Sequence, residues 1–301
     1  MHRHSEGAEA HIDKFYPILD YGHIALTDYM GNDIRIAEAA RQSTTGDTKG
    51  PEQDRKLIRY MLDCSHRPHT SPFEMVETIW KIKMPIVVAR QWVRHRTASL
   101  NEYSGRYSVM PDEAYLPSAE RLKHGAQNTV NKQGSVASEL SDEEILQIQS
   151  QMGWDQAEEF EHYHDYLDAF EMSKELSRMN LPLGTYTTWM WKIDLHNLMH
   201  FLWLRLDGHA MWEIRQYAEK MWEIVQDGWP MAAEAFYDFK LHAKTISRMQ
   251  IKELMDAVRE DAADGTDSSV VAKVVDLFAE AEADKMGSKA LFSAREILLK
   301  E

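Results

Sequence analysis

The chain has 301 residues, 44% of them hydrophobic, with 49 acidic against 34 basic side chains and a formal charge of −15. That supplies a sizeable core for one large domain, and a field that repels nucleic-acid backbones and anionic membrane surfaces at long range. A lone cysteine, Cys64, excludes an intrachain disulfide framework and a multi-cysteine metal site, and neither a bilayer-length apolar run nor a signal core in MHRHSEGAEA is present, so cytoplasmic residence is expected.

Residues 1–21 read as an N-terminal arm. A strand is predicted over 22–30, and the 3.6-residue apolar spacing of DIRIAEAARQS (33–43) predicts a helix after it. PEQDRKLIRYMLDC (51–64) predicts a second helix, with Cys64 at its end read as a buried core thiol. Alternation from Val76 to Met84 puts Val76, Thr78, Trp80, Ile82 and Met84 on one face of a strand that Pro85 ends. Proline suits a first helical turn, so PIVVARQWVRHR (85–96) predicts a buried helix delivering its basic end to a site. TASLNEYSGRYS (97–108) reads as a turn-rich loop.

Residues 119–151 are polar, a loop followed by a helix entry at SDEE (141–144), which has the capping-box pattern. A helix is predicted from Trp154 to Met179, with Phe160, Tyr163, Leu167 and Phe170 in one core-facing stripe. Asp194 is placed to cap LHNLMHFLWLR, and Asp207 to open a long helix around HAMWEIRQYAEKMWEIVQ that Trp229-Pro230 closes. From about residue 246 the composition turns to Ala, Glu, Asp and Lys, predicting a helical C-terminal extension over 246–301. Neither G-x-G-x-x-G nor a Walker motif occurs, so the expected class is α+β, a helix-rich single domain over 22–245 around a small mixed sheet, without a Rossmann unit.

Against the acidic background, RQWVRHRTASLNEYSGRYS (90–108) concentrates four arginines, a histidine and a glutamate in nineteen residues. On a helix Arg90 and Arg94 are i, i+4 and Gln91 and Arg94 are i, i+3, a fork of donors that suits a phosphate. Glu102 adds an acceptor, and in Ser104-Gly105-Arg106 the glycine lets backbone approach a ligand closely. The net charge favours a small phosphorylated molecule over a polymer. Spacing alone equally allows these arginines to form surface ion pairs with the abundant carboxylates.

Arg94-His95-Arg96, then seven residues, then Ser104 resembles the signature of the flavin-dependent thymidylate synthases. The likeness runs on through HTSPFE (69–74), VARQW (88–92), GRYS (105–108), LPSAERL (116–122), NKQGS (131–135), RMNLPL (178–183), HNLMHFL (196–202) and LRLDGHAMWEI (204–214). It departs from that pattern at Met75, Asp194, His200 and Met211. The resemblance implies reductive methylation of dUMP to dTMP, with 5,10-methylenetetrahydrofolate as carbon donor, bound FAD, NADPH as reductant and tetrahydrofolate released. It also implies a homotetramer whose subunits share active sites, with no nucleic-acid or membrane partner.

By the same resemblance, Gln91, Trp92, Val93, Arg94, Glu102, Tyr103, Ser104, Gly105, Arg106, Arg178 and Arg205 hold dUMP. Arg205 is the catalytic candidate, polarising a pyrimidine that no cysteine thiolate attacks. FAD contacts carry over to Ser71, Arg94, His95, Arg96, Glu102, Asp194, Leu195, His196 and His200, and His69 to the folate and NADPH face. Two rivals compete with this reading. His196 and His200, i, i+4, could clamp a metal, although the glutamate of H-E-x-x-H is missing. An RNA-binding surface would combine the basic cluster with tryptophans; Trp191, Trp203, Trp212 and Trp222 are more simply read as core residues of helices.

Overall fold

A computed structural model describes residues 4–44, 49–63, 65, 67–129, 134–243, 247–249 and 252. Cys64 and nearly all of the extension predicted over 246–301 lie outside the described residues. The chain divides into two units, Met1–Pro51 with Ser71–Pro230, and Glu52–Thr70 with Met231–Glu301.

In chain order the elements are α1 (Glu6–Glu9), β1 (Tyr16–Ile18), β2 (Gly22–Met30), α2 (Asp33–Arg41), α3 (Pro51–Leu62), β3 (Glu77–Pro85), α4 (Ile86–Trp92) and β4 (Ser99–Glu102). There follow α5 (Ala119–Lys123), β5 (Ala126–Gln127), β6 (Ser135–Val136), α6 (Asp142–Asp168), α7 (Lys174–Ser177), β7 (Tyr186–Asp194), α8 (Leu195–Arg205), α9 (Trp212–Gly228) and α10 (Pro230–Phe236). The first unit is built on a five-stranded sheet of order β1-β2-β3-β7-β4. The fold is α+β, as the patterning implies. The sheet is not mixed, however: every strand pair in it is antiparallel. Strand direction is set by where intervening helices return the chain, which local alternation does not encode.

β3 forms where predicted, and Val76, Thr78, Trp80, Ile82 and Met84 are all fully buried. Its partner β7, unforeseen from the sequence, lays Trp191 opposite Trp80. The Trp80 indole N–H donates to the Thr78 hydroxyl at 2.8 Å, and that hydroxyl donates to the Ile193 carbonyl at 2.9 Å, so the polar atoms of these two buried side chains are satisfied. Residues 97–108 are not all loop, since Ser99–Glu102 adds to the open edge of β7 as β4. All four β4 side chains are exposed, which removes the one-sided alternation by which a strand is read.

Trp92 locks the helical layer to this sheet. Its ring stacks on Phe201 at 4.6 Å and meets Trp191 edge-on at 5.3 Å and Tyr217 at 5.8 Å, joining α4, α8, β7 and α9. Truncating such a side chain to alanine costs on the order of 3–5 kcal/mol. α8 begins as predicted, the Asp194 carboxylate accepting the Asn197 backbone N–H at 2.9 Å. The capping box at Ser141 and Glu144 is also formed.

Elsewhere tertiary context moved the boundaries. The helix predicted from Trp154 to Met179 runs from Asp142 to Asp168 and breaks before α7; Glu171 takes a left-handed φ of 49° and Phe170, 69% exposed, leaves the stripe. Asp207 does not open α9. Its carboxylate accepts the His209 N–H at 2.8 Å in a turn, and α9 starts at Trp212. α4 stops at Trp92 with Val93 as its C-cap, so Arg94 lies beyond the helix and the Arg90–Arg94 fork is not a helical pair. Within the second unit, Arg59 on α3 pairs with Glu234 and Asp238 at 2.8 Å and lies over the Phe239 ring.

Candidate active site

Four of the predicted site residues line two arginine-bearing cavities of the first unit, Arg106 and Arg178 in one, Gln91 and Arg205 in the other. One, of about 490 Å³, is lined by Ile86, Arg106, Met110, Glu175, Arg178, Met179 and Leu181. Sequence distance between Arg106 and Arg178 is closed by β4, which carries the chain to Ser104, and by the break after α6, which turns Arg178 back. Gly105 makes this approach possible: a Cβ there would sit 2.9 Å from Arg178 Nη1 and 2.8 Å from Met110 Sδ. The Arg106 Nε donates to Glu175 at 2.6 Å, and the Arg106 backbone N–H donates to the Ser104 hydroxyl oxygen at 3.3 Å.

The second cavity, of about 670 Å³, includes Gln91, Arg121, Gly134, Ser135, Trp203, Arg205, His209, Met211 and Trp212 in its lining. Arg205, at the end of α8, is half-buried. Its Nε–H donates to His95 Nε2 at 3.0 Å and its Nη2 donates to the Gln91 carbonyl at 3.2 Å. Because arginine can only donate, the accepting His95 nitrogen is unprotonated and the ring proton sits on Nδ1. Burial, then the Arg205 charge, then His200 hold the His95 pKa down to about 4, so the ring is a neutral acceptor at physiological pH. It meets the Phe201 ring edge-to-face at 4.9 Å, which restricts the imidazole plane.

Arg121 and Glu213 complete the wall, although sequence reading gave them no role. The Arg121 Nε donates to the buried Glu213 carboxylate at 2.7 Å, and its Nη1 donates to the Ser135 hydroxyl at 3.1 Å. The signal available was their position inside LPSAERL and HAMWEI, but a motif does not say which arginine meets which glutamate.

Arg94, Arg96 and Gln91 are exposed, as are Val93, Glu102, Tyr103 and Arg106. Of the four arginines in 90–108, Arg106 does form an exposed ion pair, with Glu175, whereas the side chains of Arg90, Arg94 and Arg96, like that of Arg178, make no hydrogen bond or ion pair among the described residues. Trp92 and Leu195 are wholly buried, so neither presents a surface to a ligand. Asp194 is committed as a helix cap, His196 is partly buried, and Ser71 and His200 are exposed. His69 is exposed in the second unit, its backbone N–H donating to the Met61 carbonyl at 2.9 Å.

Among the described residues no group of three or more His, Cys, Asp or Glu is placed to hold a metal ion. Trp191 is a strand residue, not a helical one, and Trp203 is 38% exposed on the cavity side of α8. No helix among the described residues is long and apolar enough to cross a membrane.

Fold and site together define an α+β protein of non-Rossmann type with arginines in the walls of two cavities. Residues 25–231 match the family described as Thymidylate synthase complementing protein. A Flavin-dependent thymidylate synthase of Treponema denticola is 45% identical over 273 residues, covering 89% of this chain and 97% of the relative. One from Ruegeria pomeroyi is 43% identical over 253 residues, 83% of this chain and 82% of the relative. Among solved structures, the UMP/dUMP methylase PolB from Streptomyces cacaoi bound with 5-Br dUMP superposes with a TM-score of 0.67 at 29% identity, covering 75% of this chain and 99% of that one. The chain belongs to the flavin-dependent thymidylate synthase family, a family of methyltransferase enzymes.

Proposed function

We propose that this enzyme converts dUMP to dTMP by reductive methylation, taking the carbon from 5,10-methylenetetrahydrofolate and reducing equivalents from NADPH through bound FAD, with tetrahydrofolate released. The observation that carries the reading is the clamped Arg205, in a chain whose relatives are flavin-dependent thymidylate synthases and whose structural neighbour binds a dUMP analogue.

Methylation at C5 requires that carbon to become nucleophilic, which places negative charge on the pyrimidine oxygens. A guanidinium held by a neutral imidazole and a backbone carbonyl stays charged, keeps N–H groups to spare and needs no reorganisation as that charge develops. Arg205 is therefore assigned as the catalytic residue and His95 as the acceptor that positions it. The nucleotide phosphate is assigned to Arg106, Arg178 and Ser104, with Gly105 keeping the approach open, and Gln91 and Arg94 as further donors. Ser104 binds rather than attacks: the partner of its hydroxyl among the described residues is the Arg106 N–H, not a histidine.

The donor set also fits FAD. Arg94 and Arg96 offer exposed guanidiniums without carboxylate partners among the described residues, suited to a diphosphate, and the half-buried His196 lies in the first turn of α8. When bound, the flavin supplies the hydride. We assign Arg94, Arg96, His196 and Ser71 to holding it, with Glu102 between flavin and nucleotide.

Arg205 and the Arg106–Arg178 pair line separate cavities of one chain, which supports a homotetramer in which copies complete one another's sites. Exposed Tyr107, Met179 and Leu183 lie next to Arg106, Arg178 and Pro182 in the chain and suit burial against a second copy. The test is anaerobic dTMP formation by the purified enzyme from dUMP, 5,10-methylenetetrahydrofolate and NADPH, with FAD present or stripped. Turnover that depends on FAD is the expected result; flavin-loaded, dUMP-binding protein that makes no dTMP overturns the reading.

A further inference from the structure

Thr187 lies on β7, outside the motifs that carry the family resemblance. Its side chain is 3% exposed, and its hydroxyl donates to Glu102 Oε1 at 2.7 Å. Glu102 ends β4, the edge strand, and is itself exposed. An exposed glutamate ordinarily sweeps several rotamers, and holding it in one costs entropy. A hydroxyl rooted in a buried strand residue removes that freedom, and a hydrogen bond to an ionised acceptor is about twice as strong as one between neutral groups.

The next residues extend the same attachment. The Tyr103 backbone N–H donates to the Thr188 carbonyl at 2.8 Å, and the Tyr103 hydroxyl donates to the Val109 carbonyl at 2.8 Å. Packing alone does not demand threonine here. Valine has the same branched shape, favours strands as strongly and buries no hydroxyl. Thr185, two residues earlier and also fully buried, shows the cost of the other arrangement, because its hydroxyl finds no hydrogen-bond partner among the described residues.

We propose that Thr187 is a positioning residue: it fixes the Glu102 carboxylate in the orientation that receives the nucleotide, and so pre-forms the entrance to the Ser104–Arg106 turn. This rests on the reading of Glu102 as a ligand-facing residue. Thr187 touches no ligand itself; it acts through one carboxylate.

The experiment compares Thr187→Val, Thr187→Ser, Glu102→Ala and the Thr187→Val/Glu102→Ala double variant as flavin-loaded intact enzyme, measuring KM for dUMP, kcat and thermal melting. Loss of the hydroxyl is expected to raise KM for dUMP about tenfold with kcat within about twofold. Serine restores wild-type KM, and Thr187→Val adds nothing in the Glu102→Ala background. A wild-type KM in Thr187→Val, or an undiminished effect of that substitution when Glu102 is already alanine, overturns the proposal and leaves Thr187 a packing residue. If Thr187→Val does not fold, Thr187→Ala, which also lacks the hydroxyl and adds no bulk, takes its place in the same cycle. Should Glu102→Ala by itself leave both KM for dUMP and flavin retention unchanged, the reading of Glu102 fails, an outcome distinct from failure of the Thr187 link.

Discussion

The two arginine-bearing cavities use the same side chain in opposite ways. Around Arg106 and Arg178 the guanidiniums are loosely held: Arg106 has one exposed ion pair to Glu175, and Arg178 rests against Gly105 with no ion pair among the described residues. Around Arg205 the guanidinium is half-buried and held by two acceptors, and Arg121 beside it is pinned by a buried glutamate. A loosely held cation in water suits an anion that is already charged, such as a phosphate, whose arrival orders it. A pre-oriented cation in a drier wall suits charge that appears during reaction, because nothing has to reorganise when it forms.

The sharpest way to break this contrast is Arg205→Ala. Removing the pre-oriented cation should lower kcat for dTMP formation by about 10²–10³-fold while flavin absorbance of the purified protein is retained. Turnover within a few-fold of wild type would show that charge development is handled elsewhere. On the loose side, Arg178→Ala should act on binding instead, raising KM for dUMP by about tenfold with kcat little changed, and the wild-type KM should itself rise with ionic strength. A fall in kcat equal to that of Arg205→Ala would erase the distinction between the cavities.

Gly105→Ala sharpens the same point with one carbon. The added Cβ would stand 2.9 Å from Arg178 Nη1 and 2.8 Å from Met110 Sδ, so the flexible guanidinium must shift. The expected result is a KM for dUMP raised a few-fold with a melting temperature lowered by the shift of the buried Met110 side chain; a wild-type KM would mean that Arg178 binds from another position.

The smallest effect is a pH dependence at the clamped side. His95 titrates near 4 in the folded chain, against about 6.5 for an unfolded histidine, with Arg205 and His200 as the charged or titratable groups facing it. Between those values the unfolded chain binds more protons, so this contribution to stability is complete above about 6.5 and is lost as the pH falls toward 4. Melting temperatures measured across that window should therefore decline less steeply for His95→Phe than for wild type. Parallel curves would mean that His95 is not the group responsible.

Much of the frame was legible because local chemistry imposed it. Asp194 had to cap a helix rich in apolar residues, Ser141 and Glu144 spelled a capping box, and the alternation from Val76 to Met84 admitted one buried face. What escaped was non-local. β7, with its YTTWMWKID, does alternate, Thr187, Trp189, Trp191 and Ile193 facing inward, but Met190 on the outer face blurs the pattern, and its pairing with β3 and β4 on both sides is non-local. The end of α4 at Trp92 was missed because the pattern continues through Arg94, while burial of the Trp92 ring fixes where the turn must come.

The sequence by itself determined which residue types would do the chemistry: an arginine-rich stretch in an acidic chain, no cysteine nucleophile motif, and signatures that tie the chain to its family. Side-chain type and short spacing carry that information directly. Only the tertiary structure decided that the arginines divide into a loose pair and a clamped one, that Arg121 belongs to Glu213, and that a buried threonine orients Glu102. Each of those depends on contacts between residues tens to more than a hundred positions apart, which the packing of β7, α8 and α9 brings together.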